Sequence, residues 1–372
     1  MSRVLFAGGG TGGHLYPALA LAAALQHERP EVQVYFVGAQ RGVEARVLIA
    51  LQHPYTLLPF EPLYRDRVWR NWRLVPSLWR SMRGLRKLFR ELKPRLVVGT
   101  GGYASAPTCL YAITSGVPVA IQEQNSHPGL TTRTISRWAK QVHLGFPEAH
   151  NEIKPGKHTE VTTLGNPIRP PDRTLNKKEC RQKFGLRADS TVVLVVGGSQ
   201  GSRAINEALL KAITRSHAPT LPRSQVAVLW ATGPAHFESI NSRLPAETKP
   251  WVVATGYIDN MPEALAATDI AISRAGAMAT AELLAWGIPA LLIPLPTAAA
   301  DHQTHNARAL ADAGAAVLLH QKDVTPERLA QELSALVNDD TRRARMRVAA
   351  LERARPDAAR QISLHLAALL ER

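Results

Sequence analysis

The sequence predicts an α/β protein built from two Rossmann-like domains with parallel sheets. Three observations carry this. Short aliphatic runs alternate with helical stretches along the chain, the pattern of parallel sheets covered on both faces. The two halves repeat one outline, an aliphatic strand followed by a glycine loop and then a helix. The 372 residues, 45% of them hydrophobic, suffice for two cores at ~150 residues each.

Taken in order, the strand candidates of the first half are Arg3–Ala7, Val32–Val37, Leu96–Gly99 and Val117–Gln122. The first runs into Gly8-Gly9-Gly10-Thr11-Gly12-Gly13 and then a helix over Leu15–Leu25. The second half offers Val192–Val196, Val226–Ala231, Trp251–Ala254, Ile270–Ser273 and Ala290–Pro294. Its first strand runs into Gly197-Gly198-Ser199-Gln200-Gly201. Between Glu148 and Asp172 the chain is rich in Pro, Gly and polar residues, which places the domain boundary there. The last helix, after Pro356, carries Ile362, Leu366, Leu369 and Leu370 on one face. It either caps the second domain or returns to the first.

Composition narrows the class. Two cysteines, Cys109 and Cys180, exclude a disulfide scaffold and a cysteine-based zinc cluster, and fit a reducing compartment. No apolar run reaches the ~18 residues of a membrane-spanning helix, and the N-terminus lacks signal-peptide order. The expectation is a soluble, cytosolic, strongly basic protein, with 45 Lys+Arg against 30 Asp+Glu and a net charge of +15. Residues 1–150 hold 18 Lys+Arg and 8 Asp+Glu, so +10 of that charge lies there. It concentrates in Arg65–Arg95, which has 11 basic residues and only Asp66 and Glu91 as acids. Trp69, Trp72, Trp79 and Phe89 are interleaved, and Trp72, Val75, Trp79, Met82, Leu85 and Phe89 fall at helical spacing. One reading is an amphipathic helix whose apolar stripe packs on its own core. The other is an anionic contact surface. Tryptophan beside arginine favours a lipid headgroup layer over nucleic acid, for which no accompanying motif is present.

The glycine loops carry the chemistry. Gly8, Gly10 and Gly13 satisfy G-x-G-x-x-G between a strand and a helix, where glycines permit close approach and the helix N-terminus offers N–H groups to phosphate. A nicotinamide site would want an acid at the end of the second strand, which reads Val37-Gly38-Ala39-Gln40. A Walker loop would want lysine after Gly13. Both readings lose weight, and a ligandless tight turn competes for either loop taken alone. Two such loops suggest one ligand held between the domains at the C-terminal ends of both sheets. His14 sits at the first helical turn, as a candidate general base or as a capping or packing residue. Gly99-Thr100-Gly101-Gly102-Tyr103 and the polar cluster Gln122–Gly129 follow further strands.

In the second half, Ser273–Glu282 places small residues in a turn and then a carboxylate, Glu282, suited to accept two hydrogen bonds from ribose hydroxyls. Asp301-His302-Gln303-Thr304-His305-Asn306 is a dense donor and acceptor set suited to sugar hydroxyls. A metal reading of Asp301, His302 and His305 lacks residues to complete a ligand set, so no metal is expected.

Eight segments then run in one order over most of the chain. They are Gly8–Pro17 (GGGTGGHLYP), Gly99–Pro107 (GTGGYASAP), Gln122–Gly129 (QEQNSHPG), Gly165–Arg169 (GNPIR), Gly197–Asn206 (GGSQGSRAIN), Gly256–Met261 (GYIDNM), Ser273–Glu282 (SRAGAMATAE) and Asp301–Ala307 (DHQTHNA). Together they closely resemble the bacterial MurG family of lipid-linked muramyl-peptide N-acetylglucosaminyltransferases. The resemblance implies a GT-B fold with residues 1–164 as an N-terminal Rossmann-like domain on the acceptor and membrane side. Residues 165–350 would form the C-terminal, UDP-sugar side, and residues 351–372 a C-terminal helix that could return to the first domain.

It also implies an inverting hexosyltransferase. N-acetylglucosamine would move from UDP-N-acetylglucosamine to undecaprenyl-pyrophosphoryl-muramyl-pentapeptide, in peptidoglycan synthesis, at the cytoplasmic face of the inner membrane and without a cofactor. By motif, Thr11, Gly12, Gly13, Asn125, Arg169 and Ser199 would line the diphosphate and sugar. Ile258 would hold the uracil edge through its backbone. Ala277, Met278, Ala279, Thr280, Ala281 and Glu282 would wrap the nucleoside, and Gln303 would select the sugar. His14 is the candidate base. Ala279, Thr297, Ala300 and Thr132 depart from the commonest family pattern. An epimerase or another GT-B transferase is the nearest rival, and a basic adaptor with a dead nucleotide fold the non-enzymatic one.

Overall fold

The structure, a computed structural model, describes residues 2–62, 69, 72, 74–214 and 225–371. It divides into two compact units. Residues 1–169 with 355–372 form the first and residues 170–354 the second.

The first unit runs β1 (Arg3–Gly8), α1 (Gly12–Glu28), β2 (Gln33–Ala39), α2 (Glu44–Ala50), β3 (Tyr55–Leu58), α3 (Leu74–Leu92), β4 (Leu96–Gly101), α4 (Ser105–Thr114), β5 (Val119–Glu123), α5 (Leu130–Ile135), β6 (Gln141–Leu144) and β7 (Glu160–Thr162). Its seven strands are ordered β3-β2-β1-β4-β5-β6-β7, and every pairing is parallel. The chain therefore winds outward from β1 to β3, then returns to β4 beside β1, so the reversal of strand order lies between β1 and β4. Val4, Leu5, Phe6 and Ala7 are fully buried, as a central parallel strand covered on both faces requires.

The second unit runs α6 (Lys177–Lys183), β8 (Thr191–Val196), α7 (Arg203–Thr214), β9 (Val226–Ala231), α8 (Phe237–Asn241), β10 (Val252–Thr255), α9 (Met261–Ala267), β11 (Ile270–Ser273), α10 (Ala277–Trp286), β12 (Ala290–Leu292), α11 (His302–Asp312), β13 (Ala316–Leu318), α12 (Pro326–Val337) and α13 (Asp340–Arg353). Its sheet is ordered β10-β9-β8-β11-β12-β13, all parallel, with the reversal between β8 and β11. Trp230 fills the centre of its core, and its indole N–H donates to Asn206 Oδ1 at 3.0 Å. Burying such a side chain without a partner for its polar atom would cost ~1–3 kcal/mol.

The final helix α14 (Ala358–Leu370) lies against α1 in the first unit, where Ile362, Leu366, Ala367, Leu369 and Leu370 join one cluster with Val4, Phe6, Leu21 and Leu25. At ~1.5–3 kcal/mol per fully buried aliphatic side chain, these residues hold the tail firmly.

Two details differ from the sequence reading. The helix after β1 begins at Gly12 rather than Leu15, so both glycines lie in its first turn. The polar stretch 148–172 is not irregular throughout, because β7 lies within it and pairs with β6. The stripe from Trp72 to Phe89 divides between its two readings, its C-terminal end packed and its tryptophan end exposed. In α3 the core face is Ser77, Ser81, Leu85, Leu88 and Phe89, while Trp72, Val75, Leu78 and Trp79 stay exposed. The two serines are small enough for the first half of α3 to lie close to its neighbours, and this turns the tryptophan face outward. The Arg83 guanidinium stacks 4.0 Å from the Trp79 ring centre. Arg65, Asp66, Arg67, Arg70 and Arg73 lie outside the described residues. Among the described residues, no helix is long and apolar enough to cross a membrane.

Candidate functional site

In each unit the loops at the reversal of strand order hold several residues that the sequence singles out, Thr11 to His14 in the first and Ser199 and Ala277–Glu282 in the second, while Asn125, Ile258 and Gln303 follow the neighbouring strands β5, β10 and β12. The reversal is where ligands bind in open parallel sheets. In the first unit the loop after β1 is shaped by contacts that leave no room for a side chain. A Cβ on Gly8 would lie 1.9 Å from Thr100 Oγ1, and one on Gly10, whose φ is +88°, would lie 2.5 Å from the Tyr103 ring. Thr11 caps α1 in extended conformation without a side-chain hydrogen bond, and no acid lies in the first turn. The N–H groups of Gly12 and Gly13 have no partner among the described residues. Pro17, inside the helix, cannot donate to the Gly13 carbonyl. That helix end is open to an anion.

The sequence reading missed Glu44. Its carboxylate is fully buried and accepts from Gly10 N at 2.9 and 3.1 Å and from Ala39 N at 2.7 Å. The acid that β2 lacks at its end thus arrives with the next helix, but it is turned onto the glycine loop itself. The available signal was an acidic residue opening a helix directly behind a glycine-bearing strand end.

His14 is half-buried. Its Nδ1 lies 3.1 Å from Thr100 O and 3.1 Å from Gln124 Oε1, and its own carbonyl accepts from Thr100 Oγ1 at 2.7 Å. Gly101 and Gly102 have φ of +96° and +82°. A Cβ on Gly101 would meet His14 Nδ1 at 2.7 Å, and one on Gly102 would meet Gly9 O at 2.0 Å. The loop after β4 is therefore moulded around this ring. Asn125 is fixed by Glu123, which accepts from Asn125 N at 3.0 Å, Asn125 Nδ2 at 3.2 Å, Gly129 N at 3.1 Å and Thr132 Oγ1 at 2.5 Å. Thr132 thus completes this clamp through its hydroxyl. Arg169 is exposed at the end of the first unit.

In the second unit Ser199 is exposed on the loop after β8, between Gly198 at φ +95° and Gly201 at φ +75°. Arg274, after β11, braces this region. It donates to Ser202 Oγ and Gln321 Oε1 at 2.7 Å each, to Ile293 O at 3.0 Å and to Pro294 O at 2.9 Å. Burial pushes its pKa down. Asn306 Nδ2 donates to Ala275 O at 3.1 Å, and Gln303 Oε1 accepts from Leu295 N at 3.0 Å, which leaves the Gln303 amino group to donate elsewhere. Ile258 is buried, and its backbone N–H and C=O make no hydrogen bond among the described residues.

The segment Ala277–Glu282 opens α10, which starts at Gly276 with no side-chain cap and no acid in its first turn. The Thr280 hydroxyl turns back onto Gly276 O and Ala277 O at 3.1 and 3.0 Å, while Met278, Ala279 and Ala281 are partly exposed. Glu282 is the outlier. It has no hydrogen-bond partner among the described residues, and burial alone pushes its carboxyl up to about 7. Its side chain stays partly open to solvent, so the carboxylate is reachable by a ligand and its hydrogen-bonding capacity is unspent, which marks a binding position rather than a brace. Near α11, Asp301 Oδ1 accepts from Thr304 Oγ1 at 2.6 Å and His302 Nδ1 lies 2.8 Å from Ala299 O. Among the described residues no three His, Cys, Asp or Glu side chains are placed to share a metal ion.

Two parallel-sheet units with ligand-ready loops at both reversals define a GT-B glycosyltransferase. Residues 4–144 match the glycosyltransferase family 28 N-terminal domain, and residues 192–362 match the family 28 C-terminal domain. A Salinibacter ruber protein named UDP-N-acetylglucosamine–N-acetylmuramyl-(pentapeptide) pyrophosphoryl-undecaprenol N-acetylglucosamine transferase is 41% identical, covering 100% of this chain and 97% of its own. A Moorella thermoacetica protein of the same name is 38% identical over 96% of each chain. The crystal structure of Acinetobacter baumannii MurG superposes with a TM-score of 0.77 at 29% identity, covering 99% of this chain and 100% of its own. The calicheamicin glycosyltransferase CalG4 shares the fold, with a TM-score of 0.68 at 17% identity. The chain belongs to the MurG family.

Proposed function

We propose that this chain transfers N-acetylglucosamine from UDP-N-acetylglucosamine to the muramyl sugar of undecaprenyl-pyrophosphoryl-muramyl-pentapeptide. This is a step of peptidoglycan synthesis that inverts the anomeric carbon. The full-length family match supports the substrates, and the one site observation that carries the donor half is Glu282, partly buried and without a hydrogen-bond partner among the described residues. Its two oxygens would accept from the ribose hydroxyls. Ile258 would pair with the uracil edge through its free backbone groups, and Ala277, Met278, Ala279, Thr280 and Ala281 would pack along the nucleoside. Thr11, Gly12, Gly13, Ser199 and Arg169 would stabilise the diphosphate as it departs. Asn125 and the Gln303 amino group would meet the sugar.

In the reaction the acceptor hydroxyl oxygen attacks the anomeric carbon from the face opposite UDP. The bond from that carbon to the phosphate oxygen breaks, and UDP leaves with the electron pair. The hydroxyl proton passes to His14. Alignment and charge stabilisation by fixed N–H groups supply most of the rate. On this reading the first unit serves the acceptor and the membrane, the second unit the donor, and the final helix ties back to the acceptor side.

The exposed Trp72, Val75, Leu78 and Trp79, with Arg80, Arg83 and Arg86 on the same helix, would dock on the anionic cytoplasmic face of the inner membrane, where the lipid-linked acceptor resides. Beside them is a cavity of 390 Å³ lined by Arg41, Phe60, Trp72, Pro76, Ser77 and Arg80, among others. The test is a donor screen with purified protein and a short-chain muramyl-pyrophosphoryl lipid. UDP-N-acetylglucosamine should be used far better than UDP-glucose or UDP-N-acetylgalactosamine. Equal use of all three would remove the sugar assignment.

A further inference from the structure

The first unit contains a run of buried amides whose orientation is fixed end to end. Gln122, Gln124 and Asn166 are 1–2% exposed, and each bonds the next. Asn166 Nδ2 donates to the Gln124 backbone carbonyl at 3.0 Å. A carbonyl can only accept, so the Asn166 amino group must point there and its Oδ1 must point away. That oxygen lies 3.1 Å from Gln122 Nε2, which also donates to Glu123 O at 3.2 Å. The Gln122 oxygen is thereby turned towards Gln124 and accepts from Gln124 Nε2 at 2.5 Å. The same Gln124 amino group faces Thr100 O and Gln122 O, both at 2.9 Å. Only one arrangement remains for Gln124, with Oε1 towards His14 Nδ1 at 3.1 Å. The second neighbour of that nitrogen is the Thr100 carbonyl, also at 3.1 Å. Both neighbours of Nδ1 are acceptors, so Nδ1 carries the proton.

We infer that Gln124 is a positioning residue, its Oε1 acting with the Thr100 carbonyl to hold neutral His14 in its Nδ1–H tautomer and leave the Nε2 lone pair for substrate, while Gln122 and Asn166 pack the Gln124 amide in place. This deepens the reading of His14 as general base and rests on it for its catalytic meaning. The tautomer itself stands on geometry alone. Neutral imidazole has one donor and one acceptor nitrogen, so fixing the proton on Nδ1 fixes which nitrogen can take a proton from an acceptor hydroxyl. Gly145 makes room for this packing, because a Cβ there would lie 2.5 Å from Asn166 Oδ1 and 2.7 Å from Gln124 O. Asn166 belongs to the segment that leads into Arg169, where the first unit ends.

The test uses the full chain with ¹⁵N-labelled histidine. Long-range proton–nitrogen correlation spectra are recorded at a pH where His14 is neutral, and its signals are assigned by their loss in His14→Gln. The wild type should show a protonated Nδ1 and a bare Nε2. An Nε2–H or mixed tautomer would overturn the inference without any variant. Gln124→Met removes the side-chain acceptor at similar volume and leaves the Thr100 carbonyl as the acceptor on Nδ1. It should loosen the ring and lower kcat about 10-fold or more with the KM for UDP-N-acetylglucosamine unchanged. Full turnover in folded Gln124→Met would overturn the positioning role, and Gln124→Ala makes the same test if the Met variant does not fold. Full turnover in His14→Ala would remove the base reading and leave the tautomer result standing, so the two failures are separable.

Discussion

Carboxylates do opposite work in the two units. In the first, Glu44 and Glu123 are almost wholly buried, and every oxygen is occupied, by backbone N–H groups of Ala39, Gly10, Asn125 and Gly129 and by the Thr132 hydroxyl. They are braces that set the shape of loops. In the second, Glu282 is only partly buried, has no hydrogen-bond partner among the described residues, and its carboxyl is pushed up to about 7. The lesson is that burial alone does not separate scaffold from site. What separates them is whether the protein has already spent the hydrogen bonds.

The largest effect expected lies outside both braces. His14→Ala should lower kcat ~10²-fold or more while the protein stays folded by circular dichroism. Near-normal turnover would take His14 out of the chemistry. Next, Glu282→Ala should weaken UDP binding about 10-fold or more in calorimetry, the loss of hydrogen bonds to a charged acceptor. Unchanged affinity would place Glu282 with the braces and end the contrast. Glu44→Ala should instead act on stability. It leaves the Gly10 and Ala39 N–H groups without their acceptor, costs about 2 kcal/mol and lowers the thermal midpoint by roughly 5 °C. A midpoint equal to wild type would show that Glu44 is no brace.

The contrast also has a pH signature. The unfolded carboxyl titrates near 4.5, and that of folded Glu282 near 7. Between those values the folded state holds the extra proton, so stability falls as pH rises through this window, by on the order of 2 kcal/mol. UDP binding runs the other way, because ribose hydroxyls donate to the ionised form. Affinity should rise up to about 10-fold from pH 6 to pH 8 in the wild type and stay flat in Glu282→Gln. A flat wild-type profile would contradict this assignment. The smallest effect belongs to the surface of α3. Trp79→Ala with Arg83→Ala should reduce co-sedimentation with anionic vesicles roughly 5-fold at low salt, and high salt should remove the arginine's share and leave the tryptophan's. Equal binding to neutral vesicles would remove the electrostatic part.

Much of this was legible in the sequence. The central strands β1, β4, β8 and β11 read as aliphatic runs because both faces are covered, and the glycine loops read as ligand turns because they follow those strands. The outer strands β3, β6, β7 and β13 were missed for physical reasons. The last two have three residues each, too few for a period. β6 is fully buried but half polar, since Gln141 and His143 are satisfied by Glu160, Thr162 and the His365 backbone. Burial and the charge of His365 push His143 down to about 3. Glu44 left only a weak sequence signal, an acid opening a helix behind a glycine-bearing strand end, because its partners are set by a turn rather than by spacing. Periodicity leaves the α3 stripe open between core and contact surface, and the structure divides it: Leu85 and Phe89 join Ser77, Ser81 and Leu88 in the core, while Val75 and Trp79 stay exposed.

The most direct measurement is UDP release by the purified protein from UDP-N-acetylglucosamine, with and without the undecaprenyl-pyrophosphoryl-muramyl-pentapeptide acceptor. The account predicts stoichiometric UDP and a disaccharide lipid only when both substrates are present. Release without the acceptor, or no release with it, would contradict the transfer reaction assigned to this fold.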